Sequence, residues 1–523
     1  IEWAESRGVL VFGSSPEGLK AIHPMIDDFE LKENYDKPYD RSLWQLVTLP
    51  IKHLRLFKRR RATYPWWIYR GNEQIIQRLA AGQIPAPFSS SLGVEMVANP
   101  YKALKVMEID YPSRDDLLER LVKYGGNTWM MPDHLKPIPM NTDDSGFVLL
   151  EAQRVAMEAA QSVEAEMAAF RKVWRKYFPN MKYVRFVGRG ADAERIFATM
   201  LLHENKEVLG PVHFEPSRGH IEDQGGRVSS AHEMYARLAL GDETEAFSGN
   251  PNLDVVKAYL ERHAQSVPED KVGYLQIMLT NNEAAGQPVS PDYVRQIKAL
   301  RDELAPEVPI IFDAARIWDN AQHIKERLEA YREHSIESIV RELVREADGL
   351  VISTKKNVMG VGGLIAYKNQ ISFEEHLERA SDQARADIRV ALNEQHTPLS
   401  ARDIAMTRVG LELTSRDDIN AYQASLVKHF HQRLKAAKVP VPAYPDGHAV
   451  YVDAKAIFRD LIAAGDVGNP AQTLIQLVFL ETGASGTDFG IYGEGENEMH
   501  LARWAMGRGR WTLEAIDYLA DAI

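Results

Sequence analysis

The chain has 523 residues, 45% of them hydrophobic and 26% charged, with a formal net charge of −12. This is the composition of a globular protein of two or three domains, and the acidic excess disfavours a general affinity for nucleic acid or anionic lipid. Without cysteine there is no disulfide, thiolate metal site or cysteine nucleophile, which fits a reducing compartment such as the cytoplasm. No apolar run reaches the roughly 18 residues of a membrane span. The first residue is not Met, which leaves a removed targeting segment open.

Residues 1 to about 98 mix proline and aromatic clusters without a repeat and read as an N-terminal extension of unknown role. Within them Lys52, His53, Arg55, Lys58, Arg59, Arg60 and Arg61 precede Tyr64, Trp66 and Trp67. Such a run is ordinarily a solvated helix face; the alternative is a phosphate-rich partner held by cations and stacked on aromatics. Pro85, Pro87 and the serines at 89–91 mark a connector. Ser113 can cap a helix over 113–124, with Leu117, Leu118, Leu121 and Val122 at helical spacing. The amphipathic stretch 148–174 predicts one or two helices. From Tyr183 strand and helix alternate, with apolar runs at 183–187, 272–280, 308–312, 349–353 and 363–367 and helical sequence at 291–304. Such strands belong to a mostly parallel sheet covered on both faces, whose ligands bind beyond the carboxyl ends of the strands. After about residue 390 the helices lengthen, and a strand at 448–453 predicts a second, smaller α+β domain.

The informative polar residues sit at those strand ends. Asp313 leaves the 308–312 strand, where it can hold a pyridine nitrogen protonated or cap the next helix. Lys356 closes Ile352-Ser353-Thr354-Lys355-Lys356. Partial desolvation makes a lysine a usable nucleophile and base, although paired lysines are commonly surface residues. Ser353 can donate to a phosphate. Gly188-Arg189-Gly190 is either an anion cup at a helix start or an ordinary tight turn. Phe214 can stack on a flat ring or serve as core. In chain order these give a phosphate loop, an aromatic plate, Asn282, Asp313 with Arg316, then Ser353 and Lys356. Pyridoxal phosphate (PLP) demands such a set, and the order is that of fold-type I PLP enzymes. A Rossmann nucleotide enzyme lacks support without Gly-X-Gly-X-X-Gly after the first clear strand, and zinc lacks it without cysteine or His-Glu-X-X-His.

Longer motifs sharpen the match. They include Pro112-Ser113-Arg114, Gly126-Asn127-Thr128, Thr142-Asp143-Asp144-Ser145-Gly146 and Gly188-Arg189-Gly190-Ala191. Asn282-Glu283-Ala284-Ala285-Gly286-Gln287-Pro288-Val289-Ser290 and Asp313-Ala314-Ala315-Arg316 follow, then Ser353-Thr354-Lys355-Lys356 and Gly362-Gly363. Gly447-His448-Ala449-Val450 and Glu481-Thr482-Gly483 complete the set. On these residues the chain resembles the β-eliminating lyases, tryptophanase and tyrosine phenol-lyase, over roughly residues 99 to 523. The resemblance implies an aspartate aminotransferase-like α/β large domain over 148–390 and a smaller α+β domain over 391–523. A segment at 99–147 is expected to pack on the small domain. It implies that Lys356 carries the cofactor as a Schiff base and removes the Cα proton, and that Asp313 pairs with the pyridine nitrogen. Arg316 would bond the phenolic oxygen, Phe214 would stack on the ring, and Gly188, Arg189 and Ser353 would bind the phosphate. Asn282, also beside the cofactor, would join Arg503 in holding the substrate carboxylate, and Lys355 would order polar groups nearby. Family members are typically potassium-activated homotetramers with active sites shared across a dimer interface. Glu158 stands where the potassium-binding glutamate is expected, and a homo-oligomer, dimer or tetramer, follows as an expectation.

The sequence departs from the family where the leaving group is handled. Ala160 stands where a tyrosine helps protonate the departing carbon, Ser485 where an arginine reads phenol, and Ala515 near a histidine that matters for indole. Expelling phenol or indole needs a positioned acid, whereas a thiolate or carboxylate needs less help. The expectation is therefore β-elimination from a β-substituted L-amino acid, giving pyruvate, ammonia and a leaving group other than phenol or indole. The alternatives are β-replacement, transamination, decarboxylation or a carbon–carbon lyase step on the same fold, and a non-catalytic binding protein.

Overall fold

The computed structural model describes residues 9–13, 88–89, 95–96, 104–108, 112–144, 149–202, 206–210, 215–230, 246–263, 265–267, 271–393, 397–463, 468–492 and 499–523. Phe214, Ser145, Gly146 and the basic run with Tyr64, Trp66 and Trp67 lie outside the described residues. Before residue 112 the described residues form short antiparallel pairs, β1 (Val9–Gly13) with β4 (Leu104–Glu108) and β2 (Phe88–Ser89) with β3 (Glu95–Met96).

The centre is a seven-stranded sheet. Its strands are β5 (Tyr183–Val187), β6 (Glu207–Gly210), β7 (Arg227–Ser230), β8 (Val272–Met278), β9 (Ile310–Asp313), β10 (Gly349–Ser353) and β11 (Gly363–Tyr367), in the spatial order β5-β11-β10-β9-β8-β6-β7. All pairings are parallel except those of β11, which runs against both β10 and β5. Both faces are covered. Ile310, Phe312, Leu350 and Ile352 enter one core, while the intervening Ile311 and Val351 enter another on the opposite side. That alternation explains why these strands read as unbroken apolar runs.

The helices form where the caps predict. Ser113 makes a full capping box with Asp116 at the start of α1 (Arg114–Lys123). The 148–174 stretch resolves into two helices, α2 (Glu151–Ala159) and α3 (Val163–Tyr177). Helix α4 (Gly190–Leu201) follows β5, α5 (Pro291–Leu304) follows β8, and α6 (Ile317–Arg327) follows β9.

The second core lies around a three-stranded antiparallel sheet, β12 (Ala449–Asp453), β14 (Met499–Ala505) and β13 (Thr487–Tyr492). Helices α7 (Asp417–Ala436), α8 (Pro470–Thr482) and α9 (Leu513–Ala522) pack on it. Helix α1 sets Leu117 and Leu121 against Phe479 and Leu480 of α8. The other face of the small sheet meets Ala284 and Ala285, so the two cores touch at the turn carrying Asn282.

Candidate active site

The carboxyl ends of β9 and β10 are neighbours, with Val351 in register with Asp313. Asp313 closes β9 rather than capping a helix; its carboxylate accepts from the Ala315 amide at 3.0 Å, and α6 begins after Arg316. Burial pushes the Asp313 carboxyl up, opposed by that amide and by the charges of Arg316 and Lys356. Three residues beyond β10, Lys356 Nζ lies 2.5 Å from Thr142 Oγ1, 2.6 Å from Asp144 Oδ1 and 3.1 Å from Asp143 Oδ1. Lys355 takes the other oxygen of Asp144 at 2.8 Å, and its side chain is half exposed.

Arg316 and Asp143 form a two-point ion pair, with Nε and Nη2 each 2.7 Å from a carboxylate oxygen. Burial would raise the Asp143 carboxyl, but Arg316, then Lys356 and His448, hold it well below the usual carboxylate range. Arg316 Nη1 makes no hydrogen bond among the described residues, so one edge of this buried guanidinium is unspent. The loop behind Lys356 is pinned by Asn357, which donates to Asp319 Oδ2 at 2.8 Å and accepts from the Asp319 amide at 3.2 Å. Arg508 of the small domain closes the same buried carboxylate.

Gly188, Arg189 and Gly190 form the turn into α4, whose first residue is Gly190. A Cβ at Gly190 would lie 2.8 Å from Ser353 Cβ, and one at Gly363 would lie 2.5 Å from the Gly190 nitrogen. Two glycines therefore allow the turn, the end of β10 and the start of β11 to close on one another. No side chain caps α4 and the Ser353 hydroxyl makes no hydrogen bond among the described residues, an arrangement that fits an anion. The Arg189 side chain is largely exposed and meets Asp192 at 3.3 Å, so the turn's backbone is what faces the cup.

A third group stands on the small sheet. Arg503 and Tyr451 are register partners across β14 and β12. Arg503 Nη1 donates to Asn282 Oδ1 at 3.2 Å and Nη2 to the Asn141 carbonyl at 2.8 Å, while its buried Nε makes no hydrogen bond among the described residues. Asn282 and Arg503, expected from the sequence to act together, are thus in contact. Ser485 is fully buried and spent on the backbone brace of this group: it accepts from the Met140 amide at 3.1 Å and donates to Asn141 Oδ1 at 2.6 Å. Ala160 ends helix α2 and Ala515 is buried in the small-domain core. Glu158 is exposed and paired with Arg154 at 2.6 Å, one turn back on the same helix.

Four residues without an assigned role lie at the site. Asp143 and Asp144 stand as adjacent acids in a Thr-Asp-Asp-Ser-Gly motif, but only the fold brings them to Lys356. Glu194, on α4, accepts from Ser217 at 2.8 Å; burial and then the charge of Asp313 push its carboxyl up to about 8. Tyr451 gives no local signal, since an alternating strand offers its tyrosines equally to core or ligand.

The order and directions of the sheet define an α/β protein with the fold of the fold-type I PLP-dependent enzymes. Among solved structures, a serine palmitoyltransferase from S. paucimobilis with bound PLP-myriocin aldimine superposes with a TM-score of 0.50 at 12% identity, covering 87% of this chain and 96% of that one. That likeness is one of fold alone. The sequence model described as beta-eliminating lyase matches residues 149–457, more than half of the chain, and the chain belongs to that family. Tyrosine phenol-lyase of Intrasporangium calvum is 27% identical over 446 residues, 82% of this chain and 89% of that protein. Tryptophanase of Salinibacter ruber is 29% identical over 345 residues, 64% of this chain and 69% of that protein. A probable beta-eliminating lyase of Trichomonas vaginalis is 27% identical over 408 residues, 77% and 83% of the two chains. Among the described residues no helix is long and apolar enough to cross a membrane.

Proposed function

We propose that the chain is a PLP-dependent lyase that removes the β-substituent from a β-substituted L-amino acid. The balanced reaction takes the amino acid and one water to pyruvate, ammonia and the protonated leaving group. The observation that carries this reading is the convergence of the Lys356 amine, the Asp313 carboxylate and the open edge of Arg316 at adjoining strand ends. PLP, when bound, supplies the electron sink for charge developing at Cα. Lys356 is the residue that would hold the cofactor and then move the proton at Cα. Asp313 would keep the pyridine nitrogen protonated, and Arg316 would bond the phenolic oxygen through Nη1. The backbone of Gly188 and Arg189 with the Ser353 hydroxyl would take the phosphate, and Phe214 would stack on the ring. Asn282 and Arg503 would bind the substrate carboxylate, a role supported by the unpartnered Arg503 Nε.

The leaving group belongs to the same proposal. With alanines at 160 and 515 and Ser485 spent on Asn141, the positions expected to serve phenol or indole carry no free acid. A substituent that leaves as a stabilised anion, such as a thiolate, needs none. Potassium at Glu158 and cytoplasmic location stay with the proposal. A homo-oligomer is supported by exposed apolar side chains around α1, namely Val122, Trp129 and Met130, and light scattering measures it.

The test is direct. PLP-loaded protein should absorb near the visible edge, and Lys356→Ala should abolish both that band and turnover. Pyruvate release is then assayed over a panel of β-substituted amino acids. Transamination without pyruvate from any of them would replace elimination with another PLP outcome.

A further inference from the structure

One buried tyrosine has no role in the assignments above. Alternation along β12 and β14 sends Val450, Val452, Ala502 and Trp504 into the small-domain core. The same alternation turns Tyr451 and its register partner Arg503 to the opposite face, toward Ala284, Ala285 and the turn that holds Asn282. A phenol buried there requires a hydrogen-bond partner. Tyr451 Oη lies 2.8 Å from Asn282 Oδ1 and 3.3 Å from the Asn282 carbonyl oxygen, and Arg503 Nη1 lies 3.2 Å from the same Oδ1.

The orientation of the Asn282 amide follows from chemistry. A guanidinium carries donors only, so the amide atom facing Arg503 must be oxygen, and a phenol sharing that oxygen must donate to it. Two donors then occupy Oδ1, while Asn282 Nδ2 makes no hydrogen bond among the described residues. The amide's N–H edge is left for a ligand, beside the unpartnered Nε of Arg503. Were the amide to turn over, its oxygen would meet a ligand carboxylate and its NH2 would face the donor-only guanidinium of Arg503, with the Tyr451 oxygen alone left to accept from it.

We propose that Tyr451 is a positioning residue that locks the Asn282 amide with its N–H edge toward the carboxylate of the amino-acid substrate. This rests on the reading in which Asn282 and Arg503 bind that carboxylate. Burial raises the Tyr451 hydroxyl above its ordinary value, opposed by Arg503 and Arg316 and aided by Asp446. The group therefore stays a neutral donor across the range in which the enzyme would work.

The experiment is a set of titrations on the PLP-loaded full-length protein, read as the change in cofactor absorbance. L-Alanine and then L-phenylalanine are each compared with the amine lacking only the carboxylate, ethylamine and phenethylamine. Y451F should raise the Kd of the amino acid about three- to tenfold, the worth of one neutral hydrogen bond, and leave the amine within about twofold. N282D keeps acceptor oxygens for both Tyr451 and Arg503 but has no N–H; it should weaken the amino acid by at least as much and spare the amine. Adding Y451F to N282A should cost nothing beyond N282A alone.

Equal effects of Y451F on amino acid and amine, or none on either, overturn the proposal, while a selective loss in N282D leaves the carboxylate assignment standing. If neither N282D nor R503K separates amino acid from amine, or if no amino acid saturates the wild type, the assignment itself falls and takes the proposal with it. Should Y451F not fold, N282D decides: retained amino-acid affinity would mean that the amide does not offer its N–H edge, and the lock would have no function.

Discussion

Replacing Asp143 with Asn should be among the most damaging single changes near the site that leave Lys356 in place. The Asp143 carboxylate is 4% exposed and makes both hydrogen bonds of the pair with Arg316, which is 8% exposed. An amide can accept from one of the two guanidinium nitrogens, but its own NH2 then faces the other, and a buried cation loses its hydrogen-bonded counter-charge. Breaking such a pair costs about 3–5 kcal/mol. A cooperative unit of roughly 240 residues unfolds with an entropy near 0.5 kcal/mol/K, so the melting temperature should fall by about 6–10 °C. The sign with pH is also fixed. A carboxyl held below its ordinary value contributes stability above that value and loses it only as pH falls through the depressed one. The deficit of D143N should therefore be the same at pH 6 and pH 8. Differential scanning calorimetry of the full-length protein, before and after PLP loading, measures it. A melting temperature within about 1 °C of wild type at pH 7 would refute the account of Arg316 as a buried cation dependent on Asp143.

Three further substitutions probe the other groups. Glu194 is raised by burial and Asp313, so the unfolded chain ionises it above its ordinary value while the folded chain keeps the proton until about 8; stability therefore drains away as pH rises across that window. E194Q should match wild type near pH 4.5 and melt a few degrees higher at pH 8, and a pH-independent difference in thermal melts would contradict the raised carboxyl. G190A places a methyl 2.8 Å from Ser353 Cβ and should weaken PLP binding about tenfold or more in absorbance titrations, with little change in secondary structure by circular dichroism. R503K loses the planar fork that reaches Asn282 and the Asn141 carbonyl together, and should raise KM for the amino acid about 10- to 100-fold with a smaller change in kcat.

The large sheet was legible because its longer strands are mostly apolar and a helix such as α5 carries its own start signal in Ser290 and Pro291. All five predicted runs there coincide with strands to within two residues at either end, and four of them cover the whole strand: β5, β8, β10 and β11. The fifth run, 308–312, ends one residue early because apolarity stops at Phe312, whereas the polar Asp313 still closes β9. Strands β6 and β7 give no clear signal, for each is four residues long and holds at most two consecutive apolar residues, and β7 lies at the edge of the sheet. Among site residues, those at strand exits were found because fold and chemistry predict the same place for them. Asp143 and Asp144 escaped a role because their partners are 173 residues away or more, and no local pattern encodes that closure. Glu194 and Tyr451 sit within regular elements, where a polar residue and a core residue share one periodicity.

The tertiary feature hardest to read in sequence is also what joins the two halves of the site. Residues 141–144 touch both. Asn141 receives Arg503 through its carbonyl and Ser485 through its side chain, while Thr142, Asp143 and Asp144 close on Lys356, Arg316 and Lys355. The charges alternate along this path, Lys355, Asp144, Lys356, Asp143 and Arg316, so each carboxylate lies between two cations and Lys356 lies between two carboxylates. Alternation of this kind lets buried charges offset one another's desolvation, which no isolated pair at this depth would do as well. It also means that the amine which would hold the cofactor and the guanidinium which would hold the substrate share a four-residue strap. A change that shifts the strap should therefore alter cofactor affinity and substrate KM together, whereas G190A should move the first and R503K the second. That separation is what distinguishes a strap coupling two sites from two sites that merely lie close.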